Sequence, residues 1–303
     1  MRGEVNTIYF DSIFSDEIRR KHLYNGQMFV FSACASAIAL CDFARGMVEE
    51  AFAPLDPREA QHSLPVEKYV EILAQLKPAF IHHPESKQLI QGILKESGCD
   101  LNKTYFDVPR LRTATSDRYL TAGIAYAFHP HRDTWYSAPL CQINWWIPVY
   151  DITPENAMAF HPRYWSQPVK NSSRDYNYAQ WIKESRKNAA QHIKTDTRKQ
   201  PHAEETLEME PQLRLITQVG GMILFSGAQM HSTVPNTSGY TRFSIDFRTV
   251  HFDDVIAQQG AQNIDSACTG TSLGDFLRSK DFCSIPESLV ALYDTPAPTL
   301  LQN

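Results

Sequence analysis

The spacing of apolar residues predicts a helical first third of the chain. Residues 36–52 repeat their apolar side chains with the period of an amphipathic helix. Residues 65–76 and 84–97 have the same period, and each segment opens with a proline, which is favoured in the first turn of a helix. One earlier segment, GQMFVFS (26–32), has the composition of a strand. The pattern therefore predicts a mainly helical layer over residues 1–103.

From about residue 104 the pattern changes to short segments rich in β-branched and aromatic residues, separated by turn residues. No helical segment alternates regularly with them, which argues against a parallel sheet built from βαβ units. The pattern favours an α+β protein with a mainly β core, a sandwich or jelly roll, over residues 104–252. The predicted strands are 104–115, 120–129, 140–152, 156–162, 214–219, 222–227 and 241–252.

Residues 166–211 interrupt this core with a polar insertion, for which the sequence predicts a helix over 178–194. Residues 253–303 predict a tail with one or two short helices and a proline-rich end. The interpretation is a single domain spanning 1–303, in which residues 1–103 support the β core.

Composition and charge narrow the class of function. The net charge is −5, so the sequence has no basic surface for nucleic acid or an anionic membrane, and a small-molecule partner is expected. The six cysteines form no CxxC pair, which favours reduced thiols. The amino-terminal residues have no apolar core of a signal peptide, so we expect a cytoplasmic protein. The oligomeric state is left open.

Candidate chemistry begins at HRD (131–133), where His131 and Asp133 follow an apolar run. Residues two apart in a strand point to the same side, so both side chains can reach one ion. His231 follows another apolar strand about a hundred residues later, and Arg242 comes eleven residues after it. Each residue alone is more often a strand-end histidine or a salt-bridge partner. Together they predict a non-haem Fe(II) site with an arginine for a dicarboxylic cosubstrate.

At three places the sequence resembles the phytanoyl-CoA dioxygenase-like branch of the Fe(II)/2-oxoglutarate oxygenases. These are HRDTWY (131–136), WIPVYDITPENAMAFHPRYW (146–165) and HSTVPNTSGYTRFS (231–244), within a resemblance that covers roughly residues 104–250. The resemblance implies a double-stranded β-helix, which is a jelly roll, with helices packed outside. It also implies Fe(II), with 2-oxoglutarate and O2 as cosubstrates, and oxidation of a substrate C–H bond coupled to release of succinate and CO2.

The resemblance also assigns roles to single residues. His131, Asp133 and His231 become the iron ligands. The residues implied to contact 2-oxoglutarate are Arg242, which would bind the distal carboxylate, with Thr233, Trp146 and Ser244 beside it. Asp133 is the carboxylate that related halogenases replace with a small residue, so hydroxylation is favoured over halogenation; desaturation and ring formation stay open.

The substrate is less defined by the sequence. Ala157 and HPRY (161–164) depart from the family pattern in the turn that lines the substrate site, so the acyl-CoA substrate of better-known relatives does not transfer. Aromatic walls with one arginine suit a polar small molecule such as an amino acid or an acidic natural-product intermediate. Arg110 and Arg112 share one strand face, and two interpretations are open for them: cations of the substrate pocket or, as the favoured one, paired surface arginines. The candidate lining residues are Trp135, Tyr136, Asn144, Arg163, Tyr164 and Trp165.

Two other classes of protein fit part of the pattern. One is a cupin-like hydrolase or isomerase that uses the same three ligands around another divalent ion. The other is a metal-binding jelly roll without catalysis, which binds a ligand for structure or signalling. Neither needs an arginine at the position of Arg242, and the release of succinate from 2-oxoglutarate distinguishes the oxygenase from both.

Overall fold

The computed structural model describes residues 7–121, 129–184 and 200–294 of the 303-residue chain. Four helices in the first third include the longest ones, and three short helices follow. Within the described ranges, no helix combines the length and apolar character needed to cross a bilayer. The helices are α1 (Asp16–Tyr24), α2 (Ala35–Phe52), α3 (Val66–His82), α4 (Pro84–Glu96), α5 (Tyr178–Glu184), α6 (Phe252–Ile256) and α7 (Glu287–Val290).

The strands of the described ranges are mostly short, and β10 is the longest. They are β1 (Ile8–Phe10), β2 (Met28–Phe31), β3 (Thr104–Phe106), β4 (Arg110–Ala114), β5 (Ile143–Pro148), β6 (Met158–Phe160), β7 (Leu213–Arg214), β8 (Met222–Ser226), β9 (His231–Thr233), β10 (Arg242–His251) and β11 (Leu277–Arg278).

These strands form two sheets. The larger sheet has the order β1-β2-β8-β5-β10-β3-β11, and β4 pairs with the first half of β10. The smaller sheet has the order β7-β6-β9. β1 and β2 pair in parallel, and the other strand pairs are antiparallel. The protein therefore has a mixed α/β structure with one large, mainly β sheet and a helical layer.

Local sequence explains where the helices begin. Ser15 caps α1 by accepting a hydrogen bond from the backbone N–H of Ile18, and two acidic residues occupy the first turn. Pro84 opens α4, and the His83 side chain accepts a hydrogen bond from the backbone N–H of Glu85. These caps satisfy N–H groups that have no partner inside the helix.

Strand β10 separates two chemically different sides of the large sheet. Phe243, Ile245 and Phe247 pack into an apolar cluster with residues of α2, α3 and α4. Because side chains alternate along a strand, Arg242 and Ser244 point to the opposite side. That side, which we call the inner face, carries a second apolar cluster of residues from both sheets. Its members include Trp146, Met158, Phe160, Ile223 and Phe225.

The helices predicted over 36–52, 65–76 and 84–97 are confirmed, although α3 continues to His82, and the β-rich character after residue 104 is confirmed with corrections to individual strands. β1 was not predicted, because three residues are too few to show alternation. The predicted strand 214–219 is wrong, since β7 ends at Arg214. The predicted strand 104–115 is two strands, separated at Pro109, which has no N–H for a sheet hydrogen bond. Residues 122–128 of the predicted strand 120–129, and 185–194 of the predicted helix 178–194, lie outside the described residues.

Candidate metal centre

Backbone hydrogen bonds bring the two sequence motifs together. His131 and His231 form an isolated antiparallel bridge, in which each backbone N–H donates to the other residue's carbonyl oxygen at 3.0 Å. Two residues later, the backbone N–H of Asp133 donates to the carbonyl oxygen of Gly227 at 2.8 Å. Asp133 also begins a short 3-10 helix that ends at Tyr136. Segments a hundred residues apart in sequence are therefore held side by side.

The three predicted ligand side chains meet at this point. Nε2 of His131 lies 3.4 Å from Oδ1 of Asp133, and Nε2 of His231 lies 3.8 Å from the same oxygen. One ligand atom from each side chain lies within 4.8 Å of the other two. Both histidines are buried. The cluster is therefore compact enough for one ion to contact all three side chains.

The orientation of both imidazole rings suits a metal ligand. Nδ1 of His131 lies 2.8 Å from the carbonyl oxygen of His129, and Nδ1 of His231 lies 2.9 Å from that of Gln229. A carbonyl only accepts, so each Nδ1 carries a proton, and in the neutral ring the lone pair of each Nε2 points towards Asp133. Metal-bound histidines typically have this arrangement, because the bond at the second nitrogen fixes the tautomer. A cation between the lone pairs and the carboxylate would satisfy all three groups.

The electrostatics of the cluster favour the protonation states that a metal requires. Burial, together with the neighbouring His131, lowers the pKa of His231 to about 4, although Asp133 acts in the opposite direction. Burial alone would raise the pKa of Asp133, but the two histidines and Arg248 outweigh it and hold that pKa below its usual range. Near neutral pH the cluster therefore offers a neutral His231 and an ionised carboxylate, which are metal-binding forms.

Two amides hold the second carboxylate oxygen of Asp133. Asn144 Nδ2 donates to Asp133 Oδ2 at 2.7 Å, and Gln142 Nε2 donates to the same oxygen at 2.8 Å. Gln142 Nε2 also lies 2.9 Å from Asn144 Oδ1. These contacts leave Oδ1 directed at the histidines. The sequence predicts Asn144 at a substrate site, and the structure shows its side chain in contact with the candidate ligand Asp133, whose carboxylate it orients.

We expect Asn144→Ala to weaken Fe(II) binding by about 10- to 100-fold, because the loss of a partner that orients a ligand has effects of that size. Anaerobic titration of Fe(II) into the metal-free protein measures the change. Asn236→Ala is the matched control, since Asn236 is also buried and its side chain donates to the carbonyl oxygens of Ala114 and Tyr240. Wild-type Fe(II) affinity in Asn144→Ala would show that the two amides do not support the ligand.

Arg242 lies on the inner face at the start of β10. Its Nη1 donates to the carbonyl oxygen of Asn156 at 2.9 Å, and its guanidinium carbon lies 5.5 Å from the ring centre of Trp146. Its Nε is buried without a hydrogen-bond partner, and no carboxylate among the described residues forms an ion pair with it. Burial lowers the pKa of Arg242 to about 10, so the buried side chain stays protonated near neutral pH.

A second buried polar group accompanies this arginine. Ser244 follows two residues later on the same strand and therefore points to the same face. Its hydroxyl is buried and makes no hydrogen bond within the described part of the chain. Thr233 pairs directly with Met158, which packs against Trp146 in the inner apolar cluster. A buried cation without a carboxylate partner and a buried hydroxyl without a hydrogen bond are costly, and an anionic ligand with several acceptor oxygens would satisfy both.

The predicted substrate residues have different surroundings. The ring of Tyr136 lies 5.4 Å from that of His131 and 5.6 Å from that of Tyr176, so it lies beside the cluster. Trp135 is fully buried, and its Nε1 donates to Asp265 Oδ1 at 2.7 Å. That corrects the prediction for Trp135, because a side chain enclosed by Tyr164, Val169 and Met230 has no surface left for a ligand.

Arg163 and Trp165 make contacts of other kinds. Arg163 forms an exposed ion pair with Glu208. Trp165 packs against Gly26, where a side chain would collide with the indole ring. Neither is shown in contact with the three candidate ligands, and their role in substrate binding stays a prediction.

Sequence reasoning does not single out Gln142, whose amide holds Asp133, nor the ion pair of Arg248 with Asp107. The only available signal was the alternation of polar and apolar residues in RFSIDFR (242–248), which places Arg248 on the same face as Arg242.

No protein-family model matches the sequence, and no curated protein matches it either. Among solved structures, the chain is similar to EvdO2 from Micromonospora carbonacea var. aurantiaca complexed with 2-oxoglutarate, with 13% identity, a TM-score of 0.44 and coverage of 78% of this chain and 91% of that chain. It is also similar to the epimerase SnoN in complex with Fe3+, alpha ketoglutarate and nogalamycin RO. The identity is 12%, the TM-score is 0.39, and the match covers 78% of this chain and 85% of that chain. A third similar structure is AviO1 from Streptomyces viridochromogenes Tue57. The identity is 13%, the TM-score is 0.39, and the match covers 79% of this chain and 96% of that chain. Similarities this low do not identify a function, so the function of this chain is inferred from its own residues.

Proposed function

We propose that the protein is an Fe(II)- and 2-oxoglutarate-dependent oxygenase that oxidises a C–H bond of a polar small molecule. The observation that carries the proposal is the joint presence of a compact His131–Asp133–His231 cluster and a buried arginine without a carboxylate partner on the inner face. The cluster fits a non-haem iron with open coordination positions. The arginine fits the distal carboxylate of a dicarboxylic cosubstrate.

The strand order supports the double-stranded β-helix as the fold, and with it the phytanoyl-CoA dioxygenase-like branch as the family. β4, β10, β5 and β8 are neighbours in the large sheet, and β9, β6 and β7 are neighbours in the small one. From β5 onwards the chain crosses repeatedly between the sheets: β5 lies in the large sheet, β6 and β7 in the small one, and β8, β9 and β10 in the large, small and large sheet in turn. Such crossing between two sheets is compatible with a jelly roll. The cluster lies where the small sheet's β9 meets the end of β8. In this proposal the protein acts in the cytoplasm on a small molecule.

Each residue of the site then has a physical role. Bound iron would supply the activation of O2, coupled to conversion of 2-oxoglutarate to succinate and CO2. His131, Asp133 and His231 hold the ion, and Gln142 and Asn144 orient the carboxylate.

The cosubstrate would lie between the ion and β10. Arg242 binds its distal carboxylate, Ser244 and Thr233 supply hydroxyls, and Trp146 forms an apolar wall. Phe225, whose ring lies 4.8 Å from that of His231, excludes water from the same side.

The carboxylate of Asp133 favours hydroxylation over halogenation, because a halide would need the position that this side chain occupies. A non-oxidative cupin-like protein or a purely ligand-binding jelly roll is less well supported. Such a protein needs the three ligands but has no use for a buried, unpaired Arg242.

Succinate release is the direct test. The metal-free protein is loaded with Fe(II) and 2-oxoglutarate without oxygen, then exposed to O2 with pools of polar metabolites. We expect a slow basal release of succinate that at least one pool stimulates, and background release from Asp133→Ala. A protein that binds metal but never releases succinate in any pool would be a metal-binding protein of the alternative kind.

A further inference from the structure

The inner face of β4 and β10 carries a cluster of arginines and aspartates beyond the proposed cosubstrate site. Arg112 pairs directly with Ser244, and Arg110 pairs directly with Asp246. Directly paired residues share one face of a sheet. Arg110 and Arg112 therefore point to the inner face, away from the helical layer, which favours the alternative of pocket cations over that of surface arginines. Arg248 lies on this face as well, because it is an even number of positions from Ser244.

The ion pairs leave one positive charge in excess. Arg112 and Asp246 pair with each other. Arg110 Nη1 lies 2.5 Å from Asp107 Oδ2, and Arg248 Nε lies 2.7 Å from the same oxygen. Two guanidinium groups thus share one carboxylate, whose other oxygen accepts the backbone N–H of Arg248 at 2.7 Å. Asp107 neutralises one of these two cations, and the charges of Asp133 and Asp246 also attract Arg248 without forming an ion pair with it.

Exposure differs sharply between the partners. The side chain of Asp107 is 2% exposed, whereas those of Arg110 and Arg248 are 16% and 20% exposed. The carboxylate is therefore buried beneath the two arginines, whose side chains stay partly exposed. The two terminal nitrogens of Arg248 make no hydrogen bond to a residue in the described ranges. They are available donors in a fixed fork, which is the geometry that binds carboxylates and phosphates.

This cluster lies next to the metal centre. Arg248 pairs directly with Asn144 on β5, and the Cβ atoms of such a pair are about 5 Å apart. Asn144 in turn donates to the ligand residue Asp133. Arg242 lies six residues before Arg248 on the same strand and the same face. One strand thus presents two separate cationic positions to the inner face, and a single cosubstrate carboxylate uses only one of them.

We propose that Arg248 and Arg110, held in place by Asp107, bind an anionic group of the substrate, either a carboxylate or a phosphate. This inference rests on the proposed function and narrows its substrate class to anionic small molecules. Tyr136 and Tyr176, whose rings are 5.6 Å apart beside His131, provide an aromatic surface near the cluster for the rest of the substrate. The anion at Arg248 would place a nearby C–H bond against the open coordination positions of the metal.

The first test needs neither iron nor turnover. Inorganic phosphate, and separately acetate, is titrated calorimetrically into the metal-free protein. We expect saturable binding of at least one anion, weakened about tenfold or more in Arg248→Gln and in Arg110→Gln. Arg278→Gln is the control, because Arg278 forms a partly exposed ion pair with Asp281 and should leave the affinity unchanged. In Arg242→Gln, binding at the Arg248 site should persist.

A check of the fold and a conservative variant keep this test decisive. Asp107 retains one arginine in either single variant, so the carboxylate is not left buried and unpaired, and circular dichroism verifies the fold. Arg248→Lys keeps the charge but loses the fork, so it should recover part of the affinity. The inference is overturned if the wild type shows no saturable binding of either anion, or if Arg248→Gln and Arg110→Gln both bind as the wild type does.

The second test uses the Fe(II)-loaded protein and compares phosphorylated, carboxylated and uncharged metabolites for stimulated succinate release. Stimulation should come from one of the two anionic groups, which identifies the anion. For that compound, Arg248→Gln should raise KM about tenfold or more without changing KM for 2-oxoglutarate. Stimulation by uncharged compounds alone overturns the inference and leaves the oxygenase function intact. Failure of every compound argues against the oxygenase function, while the phosphate and acetate titrations still decide whether the anion site exists.

Discussion

His131→Ala, Asp133→Ala and His231→Ala will each reduce succinate release to the background of the metal-free protein. The three side chains converge on one point, and both imidazole lone pairs face the Asp133 carboxylate. Removing any one leaves two protein ligands, so we expect iron to bind more weakly and the reaction to stop. Turnover is measured at saturating 2-oxoglutarate with a stimulating metabolite, and bound iron is measured by anaerobic titration.

The metal should also stabilise the fold in a way that turnover does not report. A ligand at 100 times its dissociation constant stabilises the native state by about 2.7 kcal/mol. We therefore expect Fe(II) to raise the melting temperature of the wild type and to leave that of each ligand variant unchanged. Melting under anaerobic conditions, with and without Fe(II), measures this difference.

A buried histidine at a strand end, away from the cluster, provides the control for these variants. His251 ends β10 and is buried like the two ligand histidines. We expect His251→Ala to lose stability but to keep one Fe(II) per chain and the Fe(II)-dependent rise in melting temperature. Full turnover in any one of the three ligand variants would contradict the metal assignment.

The elements with strong local signals could be predicted from the sequence. The helices α2, α3 and α4 show the helical period over three or more turns, and two of them follow or open with a proline. β1 and β7 have three and two residues, so their strand character comes from pairing with β2 and β6 rather than from their own pattern. Tertiary pairing decides such short strands, and a single sequence does not contain it.

The candidate ligands could be found because their signal is local, but their surroundings could not. His131 and Asp133 lie two residues apart, whereas Asn144 reaches Asp133 only through the register of β5. A shift of one residue in that register would turn Asn144 to the other face. Likewise, polar residues that alternate along a strand look the same whether they face water or a polar interior. Arg110 and Arg112 were therefore interpreted as surface residues.

Arg242→Ala will raise the apparent KM for 2-oxoglutarate about 100-fold while leaving Fe(II) binding nearly unchanged. A hydrogen-bonded contact to a charged group contributes about 1.5–3 kcal/mol, and about 1.4 kcal/mol corresponds to a factor of ten. Arg242 is buried, and no carboxylate among the described residues forms an ion pair with it. No ion pair therefore competes with the distal carboxylate, and KM is measured by succinate release over a range of 2-oxoglutarate concentrations.

A comparison of two 2-oxoacids separates this role from a structural one. 2-Oxopentanoate has the same chain length as 2-oxoglutarate but lacks the distal carboxylate. We expect the wild type to bind 2-oxoglutarate about 100-fold more tightly than 2-oxopentanoate. Arg242→Ala should bind the two acids almost equally, because the variant loses the group that distinguishes them. Arg242→Lys should keep part of the preference through its charge. A variant that merely distorts the site would weaken the binding of both acids by the same factor. If Arg242→Ala kept the full preference for 2-oxoglutarate, another cation would bind the distal carboxylate. Arg248, on the same face of β10, would be the first such cation to test.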